Sequence, residues 1–307
     1  MKRNYMKWQT KKVEKMNNNS EGAYKSVINW FPGHMKVAMD QISERLKTVD
    51  LVIEIGDARA PISSLNPYLK NVLGNKKKVL VFSKIDCADK YKQEAIKKYY
   101  KDEYLMVFFA DLLNQKDGKI IRSAIENIKI RQNARYEKFN VKSLPTRALV
   151  VGIPNVGKST FINLLAQNRK AKVGNMPGFT KAQQLIKVSN NLELCDTPGI
   201  LPPNYEDKKI AMRLAWLGTI KQDILSLEDL TNTLWDYLVD HYFDYLKNRY
   251  QIENKMSSDD FFYYLANFRH YLLRDEKLDI DRARKTFLKE FQDGVLGGVL
   301  VDELEGI

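Results

Sequence analysis

The sequence predicts an α/β domain, a mostly parallel sheet with helices on both faces, followed by a small all-helical C-terminal domain. Three observations carry that expectation. Short apolar strands alternate with helical stretches from residue 30 onward, a glycine-rich loop joins one such strand to one such helix, and past Pro202-Pro203 the apolar spacing turns purely helical.

Taken in order, residues 1–29 read as a basic, unstructured extension, with Asn17-Asn18-Asn19-Ser20 in a row and no apolar periodicity. Residues 30–203 form the expected α/β domain. Val37 to Leu46 has the spacing of an amphipathic helix. Strands are expected at Leu51–Ile55, Lys78–Phe82, Leu105–Phe109, Ala148–Val151 and Leu192–Cys195. Residues 119–147 carry eight Lys/Arg against two Glu and read as a helix to about residue 133, then a linker. The helical domain is expected over 204–307. Leu227, Leu230, Leu234, Leu238 and Phe243, then Phe261, Leu265, Phe268 and Leu272, recur at helical spacing, and Gly294, Gly297 and Gly298 break the last segment.

Composition narrows the class. A 44% apolar and 29% charged chain is ordinary for a globular protein. No apolar run approaches the roughly 20 residues of a membrane span. Cys87 and Cys195 are too few for a disulfide framework or a zinc site, which fits a reducing compartment. The net charge of +12 is uneven: +5 over residues 1–30, +13 over 31–203 and −6 over 204–307. A basic surface of this size is the footprint of a polyanion partner, nucleic acid first, although a solubility coat of lysines would look similar. Glu14, Glu21 and the lack of an apolar core argue against a secretory signal in the extension. An organellar targeting segment, which would place the protein in a mitochondrial or other organellar matrix, and an RNA-contacting arm on a cytoplasmic protein both remain open.

Gly152-Ile153-Pro154-Asn155-Val156-Gly157-Lys158-Ser159 matches G-x-x-x-x-G-K-[ST] in full, after an apolar strand and before a helical run from Thr160 to Ala166. Glycines let the backbone wrap phosphates closely, and the N–H groups with the helix N-terminus supply positive potential. Asn155, Val156, Gly157, Lys158, Ser159 and Thr160 therefore line a nucleotide phosphate site. Lys158 reaches the β- and γ-phosphates and Ser159 ligates Mg²⁺.

Two further motifs select GTP/GDP. Asp196-Thr197-Pro198-Gly199 follows a strand, with Asp196 placed to hold Mg²⁺ through water and the Gly199 N–H to meet the γ-phosphate. Ser83-Lys84-Ile85-Asp86 caps another strand and is similar to Asn-Lys-x-Asp. The Asp86 carboxylate accepts from guanine N1–H and the exocyclic amine, and Lys84 lays its stem along the base. Ser83 replaces an Asn that usually braces the phosphate loop. Being shorter, it is expected to weaken nucleotide binding while base selectivity stays.

The guanine motif here precedes the phosphate loop, the reverse of a Ras-like GTPase. In that order the chain resembles the circularly permuted GTPases of the YlqF/YawG group, and within it the RbgA (YlqF) type. The likeness runs from residue 29 to about 307. It rests on Trp30-Phe31-Pro32-Gly33-His34-Met35, Asp57-Ala58-Arg59-Ala60-Pro61, Asn66-Pro67, Gly152 to Thr160, Pro177-Gly178-Phe179-Thr180, Gln183-Gln184 and Asp196 to Ile200, and is thinner in the helical part.

The resemblance implies a circularly permuted Ras-like GTPase domain in a monomeric factor that binds the large ribosomal subunit and its rRNA in the GTP state and leaves after hydrolysis. Ile200 stands where most small GTPases have a water-orienting Gln, so intrinsic turnover is expected to be slow. The family points to His34 as the substitute, to Asn155 as a K⁺ ligand beside the phosphates, and to Thr180 as the switch residue on Mg²⁺ and the γ-phosphate. RNA contact is expected from Lys76, Lys77, Lys78 and the 119–147 segment, and from late basic residues including Arg269, Arg274, Lys277, Arg282, Arg284, Lys285 and Lys289. A GTPase switch that binds only protein is the rival reading.

Overall fold

The computed structural model describes residues 33–128, 144–166, 185–201, 207–219 and 226–304. The basic extension, the linker after residue 128, Thr180 with its neighbours and Pro202-Pro203 lie outside these residues. The elements run α1 (Gly33–Leu46), β1 (Leu51–Asp57), α2 (Pro67–Leu73), β2 (Lys77–Ser83), α3 (Gln93–Tyr100), β3 (Met106–Phe109), α4 (Gln115–Glu126), β4 (Thr146–Val151), α5 (Lys158–Ala166), β5 (Leu185–Lys187) and β6 (Leu192–Cys195). Five helices follow: α6 (Lys208–Trp216), α7 (Leu227–His241), α8 (Phe243–Tyr250), α9 (Ser258–Phe268) and α10 (Ile280–Gln292).

The six strands form one sheet in the order β3-β2-β1-β4-β6-β5. All pairings are parallel except that of β5 with β6. The expected mostly parallel sheet is therefore present, with an antiparallel edge strand that three residues of sequence did not announce. Every residue of β1 is buried, so its side chains need no alternation. The sequence also passed over α2 and α3. Asn66 caps α2 by accepting from the Tyr68 N–H ahead of Pro67, while α3 follows a short turn, Lys90–Lys92, at which Asp89 accepts from the Tyr91 N–H.

An acid with no basic residue beside it in sequence lies midway along β1. Glu54 on β1 is buried and accepts a 2.7 Å hydrogen bond from the Tyr104 hydroxyl. Burial raises its carboxyl to about 7, with Tyr104 and Lys78 opposing the rise. The folded state thus holds a proton that the unfolded chain has released. The resulting stability is complete below about pH 4.5 and is lost as pH rises through 7. Glu54→Gln should flatten the pH dependence of Tm across this window and raise stability at pH 8 by about 2–3 kcal/mol; an unchanged slope would rule out Glu54 as its source.

The helices of residues 207–292 pack around a second core. Trp235 stacks on Phe261 with ring centroids 3.7 Å apart, and Phe287 meets both rings edge-on. Ser226 and Ser257 cap α7 and α9 by accepting from Asp229 and Asp260 N–H groups. Leu230, Leu234, Leu238, Phe261 and Leu265 are buried as the periodicity implied. Phe268 and Leu272 instead lie at 38% and 52% exposure, because α9 ends at Phe268.

The described chain separates into two compact units, and the division differs from the expected boundary at one end. Residues 293–304, expected with the helical domain, belong with the nucleotide-binding unit. Gly294, at φ +73°, turns the chain, and Val299 then forms a parallel bridge with Ala88.

Candidate functional site

Because β1, β2, β3, β4 and β6 are parallel, their carboxyl ends lie along one edge, where open α/β sheets bind ligands. The loops after them carry Asp57, Lys84 and Asp86, Ala110, the phosphate loop, and Asp196. Residues far apart in sequence thus meet at one rim.

The phosphate loop runs between β4 and α5. Gly152 and Gly157 take φ of +147° and +96°, and a Cβ on Gly152 would strike the Ile55 carbonyl. Asn155 is an exposed residue at φ +61°. Lys158 is buried in the first turn of α5, and its ammonium donates to the Ile153 carbonyl at 2.7 Å. Burial lowers the Lys158 ammonium to about 8, while the Asp196 carboxylate pulls the other way. Ser159 and Thr160 follow, both half-buried.

Across from the loop, Asp196 is buried and its Oδ1 has no hydrogen-bond partner among the described residues. Burial raises its carboxyl above the usual range, opposed by Lys158. A buried, unpartnered carboxylate oxygen is costly. A hydrated Mg²⁺, which takes one or two carboxylates alongside substrate phosphates, fits that donor set with the Ser159 hydroxyl. Thr197 donates to the Val150 carbonyl at 2.6 Å, and Arg45 on α1 donates to the Asp196 carbonyl at 2.7 Å, so the motif is anchored from two sides. A Cβ on Gly199 would lie 2.7 Å from Pro154 backbone atoms, so only glycine lets this segment approach the loop so closely.

Ile200, at the position of the missing glutamine, is buried in an apolar cluster with Ile42, Leu46, Val52, Leu69 and Leu149. Its side chain faces the core and its carbonyl accepts from Asn66 Nδ2 at 3.0 Å. His34 falls in the first turn of α1.

At the end of β2, Ser83 bears on an expectation. Its short side chain was expected to weaken nucleotide binding; its hydroxyl nonetheless reaches the loop, 2.7 Å from the Val156 carbonyl and 3.0 Å from that of Gly56. A Cβ on Gly157 would come within 2.9 Å of the Leu112 side chain, so glycine fits the loop against that residue, while Ser83 lies at ordinary contact distance. Ser83→Ala should weaken GDP binding about fivefold, the cost of roughly 1 kcal/mol for one hydrogen bond, without altering base preference; titration calorimetry that finds no loss would remove Ser83 from the bracing role.

Lys84 sits at φ +56° with its ammonium 3.1 Å from Asp57 Oδ2. Asp57 also pairs with Arg59 at 2.9 Å, both fully buried. Although burial works against the charge, Arg59 and Lys84 hold the Asp57 carboxyl well below its ordinary range. Asp86 is exposed at the rim and accepts from Cys87 Sγ at 3.2 Å. Two features on this rim went unread in the sequence. The Asp57–Arg59 pair anchors Lys84, a role that an acid and a base two residues apart at a buried strand end could have signalled. Ala110, after β3, is held by the Phe82 carbonyl at 2.9 Å on the same rim; no residue type there marks it.

The proposed lysine triplet does not form a free basic patch. Lys76 donates to the Val49 carbonyl at 2.8 Å, and Lys78 is buried, paired with Glu103 at 2.8 Å and lying over the Tyr104 ring. Lys77 alone of the three is exposed. Among the late basic residues, Arg284 is buried against Thr231 and Asn232, and Arg269 pairs with Glu290. Arg282, Lys285 and Lys289 are exposed, and their spacing places them on one face of α10.

No helix among the described residues is long and apolar enough to cross a membrane. Residues 147–256 match the family described as 50S ribosome-binding GTPase, a span that starts at the phosphate-loop strand and leaves the guanine motif upstream. The chain is 37% identical over 282 residues to ribosome biogenesis GTPase A of Priestia megaterium, covering 90% of this chain and 96% of the relative. It is 31% identical over 305 residues to mitochondrial ribosome-associated GTPase 1 of Mus musculus, covering 90% of each. Among solved structures it is similar to GNP-bound YlqF from T. maritima, with a TM-score of 0.58, 25% identity and coverage of 88% of this chain and 99% of that one. Identity above 30% to these relatives over about nine-tenths of both chains, with the likeness to YlqF, shows that the chain belongs to the ribosome biogenesis GTPase A family of circularly permuted P-loop GTPases.

Proposed function

We propose that the chain binds the large ribosomal subunit and its rRNA as a GTP complex and dissociates once GTP is hydrolysed. The buried, unpartnered Asp196 oxygen beside the Lys158 loop carries the nucleotide part of this reading. In it, Lys158 contacts the β- and γ-phosphates, and Ser159 and Asp196 hold Mg²⁺, which neutralises phosphate charge. Asp86 reads the base, Lys84 flanks it, and the Gly199 N–H meets the γ-phosphate. Loss of that phosphate would remove the contact it makes to the Gly199 N–H and free the switch segment to change partners.

Three further roles extend the proposal. Asn155, exposed and left-handed at the loop tip, supplies a K⁺ ligand beside the phosphates; replacing K⁺ with Na⁺ should then slow turnover. Thr180 completes the Mg²⁺ shell in the GTP state. His34 orients the attacking water in place of the buried Ile200.

For RNA, the α10 face of Arg282, Lys285 and Lys289 is the better candidate, since Lys76 and Lys78 are committed internally. Reversing these three charges should reduce the log–log salt slope of rRNA binding by up to about three units, one for each phosphate no longer neutralised. Relatives named for bacteria and for mitochondria support either compartment, and a monomer is the expected state.

The deciding experiment is co-sedimentation with purified ribosomal subunits. We expect retention on the large subunit with a non-hydrolysable GTP analogue and loss of retention with GDP. Equal retention in both states, or none with either subunit, would overturn the proposal.

A further inference from the structure

The C-terminal residues 293–304 lie against the loop that carries Asp86. Val299 N–H donates to the Cys87 carbonyl at 3.1 Å, and the Val299 carbonyl accepts from the Asp89 N–H at 3.3 Å. Two residues on, the Val301 N–H donates to the Arg59 carbonyl at 2.8 Å. Asp302 Oδ2 accepts from the N–H groups of Ile62 and Ser63 at 2.7 and 2.9 Å, and its other oxygen accepts from the Ser63 hydroxyl. Leu296, Val299, Val301 and Asp302 are all buried. Glycine permits the approach: a Cβ on Gly294 would collide with Cys87 Sγ, and one on Gly298 would lie 2.7 Å from the Ala88 carbonyl.

The two loops gripped in this way share a task. One holds Asp86, followed directly by Cys87-Ala88-Asp89. The other holds Asp57 and Arg59, whose buried ion pair fixes the Lys84 ammonium. An exposed carboxylate reads a base well only if its backbone is held in place beforehand, because any ordering left until binding is subtracted from affinity. Ser83 and Lys84 fix the start of this loop, but beyond them the rigidity of its own is slight: Ile85–Cys87 is one short 3₁₀ turn whose N-terminal flanking residue makes no side-chain cap. The tail supplies it from outside through backbone bonds on one side and a buried carboxylate on the other.

We propose that residues 293–304 form a strap that positions the base-reading loop, with Asp302, Val299 and Val301 as positioning residues that set how long a guanine nucleotide stays bound and how well it is told from a close analogue. This rests on the reading of Asp86 as the base-reading group. The strap acts on the base end of the rim and leaves the phosphate loop untouched, so its loss should appear as poorer base discrimination as well as faster release. A tail that only covered apolar surface would lower Tm and leave discrimination intact.

The test uses the full chain with three substitutions. Asp302→Ala removes the two backbone ties, Gly298→Ala wedges the strap off Ala88, and Asp302→Asn is the milder form should either of the others fail to fold. Two quantities are read: the dissociation rate of ribose-labelled fluorescent GDP, and the affinity ratio of GDP to inosine diphosphate, which lacks the exocyclic amine that Asp86 accepts from. We expect GDP to leave about tenfold faster, equivalent to about 1.4 kcal/mol of lost loop support, and the ratio to fall. Wild-type release and ratio in folded variants would overturn the strap. Asp86→Asn serves as the parallel arm. If it leaves the ratio unchanged, the base-reading assignment itself fails; if it alters the ratio while the strap variants do not, the strap alone is rejected.

Discussion

Lys158→Ala should reduce GTP turnover on the order of 10²–10³-fold, the usual cost of removing one preorganised group from a developing charge. It should do so without destabilising the nucleotide-free protein. The ammonium is buried, held by one carbonyl at 2.7 Å, and lowered to about 8 by burial. A base with a depressed folded value lends stability above its unfolded value near 10.5 and loses it as pH falls through 8. At neutral pH the charge therefore costs the empty protein free energy, which the triphosphate recovers on binding. Two measurements check this. GTP turnover should collapse, and the rise in Tm caused by GTP should shrink while the Tm of the empty protein holds or increases. Turnover within a few-fold of wild type would mean the phosphates sit elsewhere.

The second large effect concerns the base. Asp86→Asn should weaken GDP binding by about 10³-fold or more and transfer preference to xanthosine diphosphate. The carboxylate accepts twice, from guanine N1–H and from the exocyclic amine. An asparagine offers one acceptor and one donor, which suits xanthine, where a carbonyl replaces the amine. Sites built around such polar contacts reject a mismatched ligand by about 10⁴–10⁵ because buried groups are left unpaired. Asp86 is exposed and its one described hydrogen bond is from Cys87 Sγ, so folding should be unaffected. Calorimetry with GDP, ADP and xanthosine diphosphate decides it; unchanged GDP affinity would remove Asp86 from the site.

Much of this site was legible from residue types alone. Gly152, Gly157 and Lys158 announce themselves because positive φ, close backbone approach and a phosphate-directed cation leave few other choices. The strands were legible because their buried apolar stretches, Leu51–Ile53 in β1 and Val79–Phe82 in β2, are short and bounded by polar residues. What stayed hidden was set by distance in the chain. Lys76 and Lys78 looked like a basic patch, and only the fold reveals that Val49 and Glu103 occupy them. Ser83 looked too short because how near the Val156 and Gly56 carbonyls come to its hydroxyl is a fact about space. The tail was assigned to the helical domain because Gly294, Gly297 and Gly298 interrupt helical periodicity, and no local rule tells where a chain goes after it breaks.

The inward-facing Ile200 closes off one obvious route to a faster enzyme. Restoring the customary amide there would not hand the enzyme its water-holder back. The new side chain would find itself wedged among Ile42, Leu46 and Leu149, with nothing to bond to. Selection working one substitution at a time would meet lost folding before gained speed. On the proposed reading, in which the free protein turns over slowly, the layout of this apolar interior holds that pace, and any haste has to be lent by whatever the protein docks against.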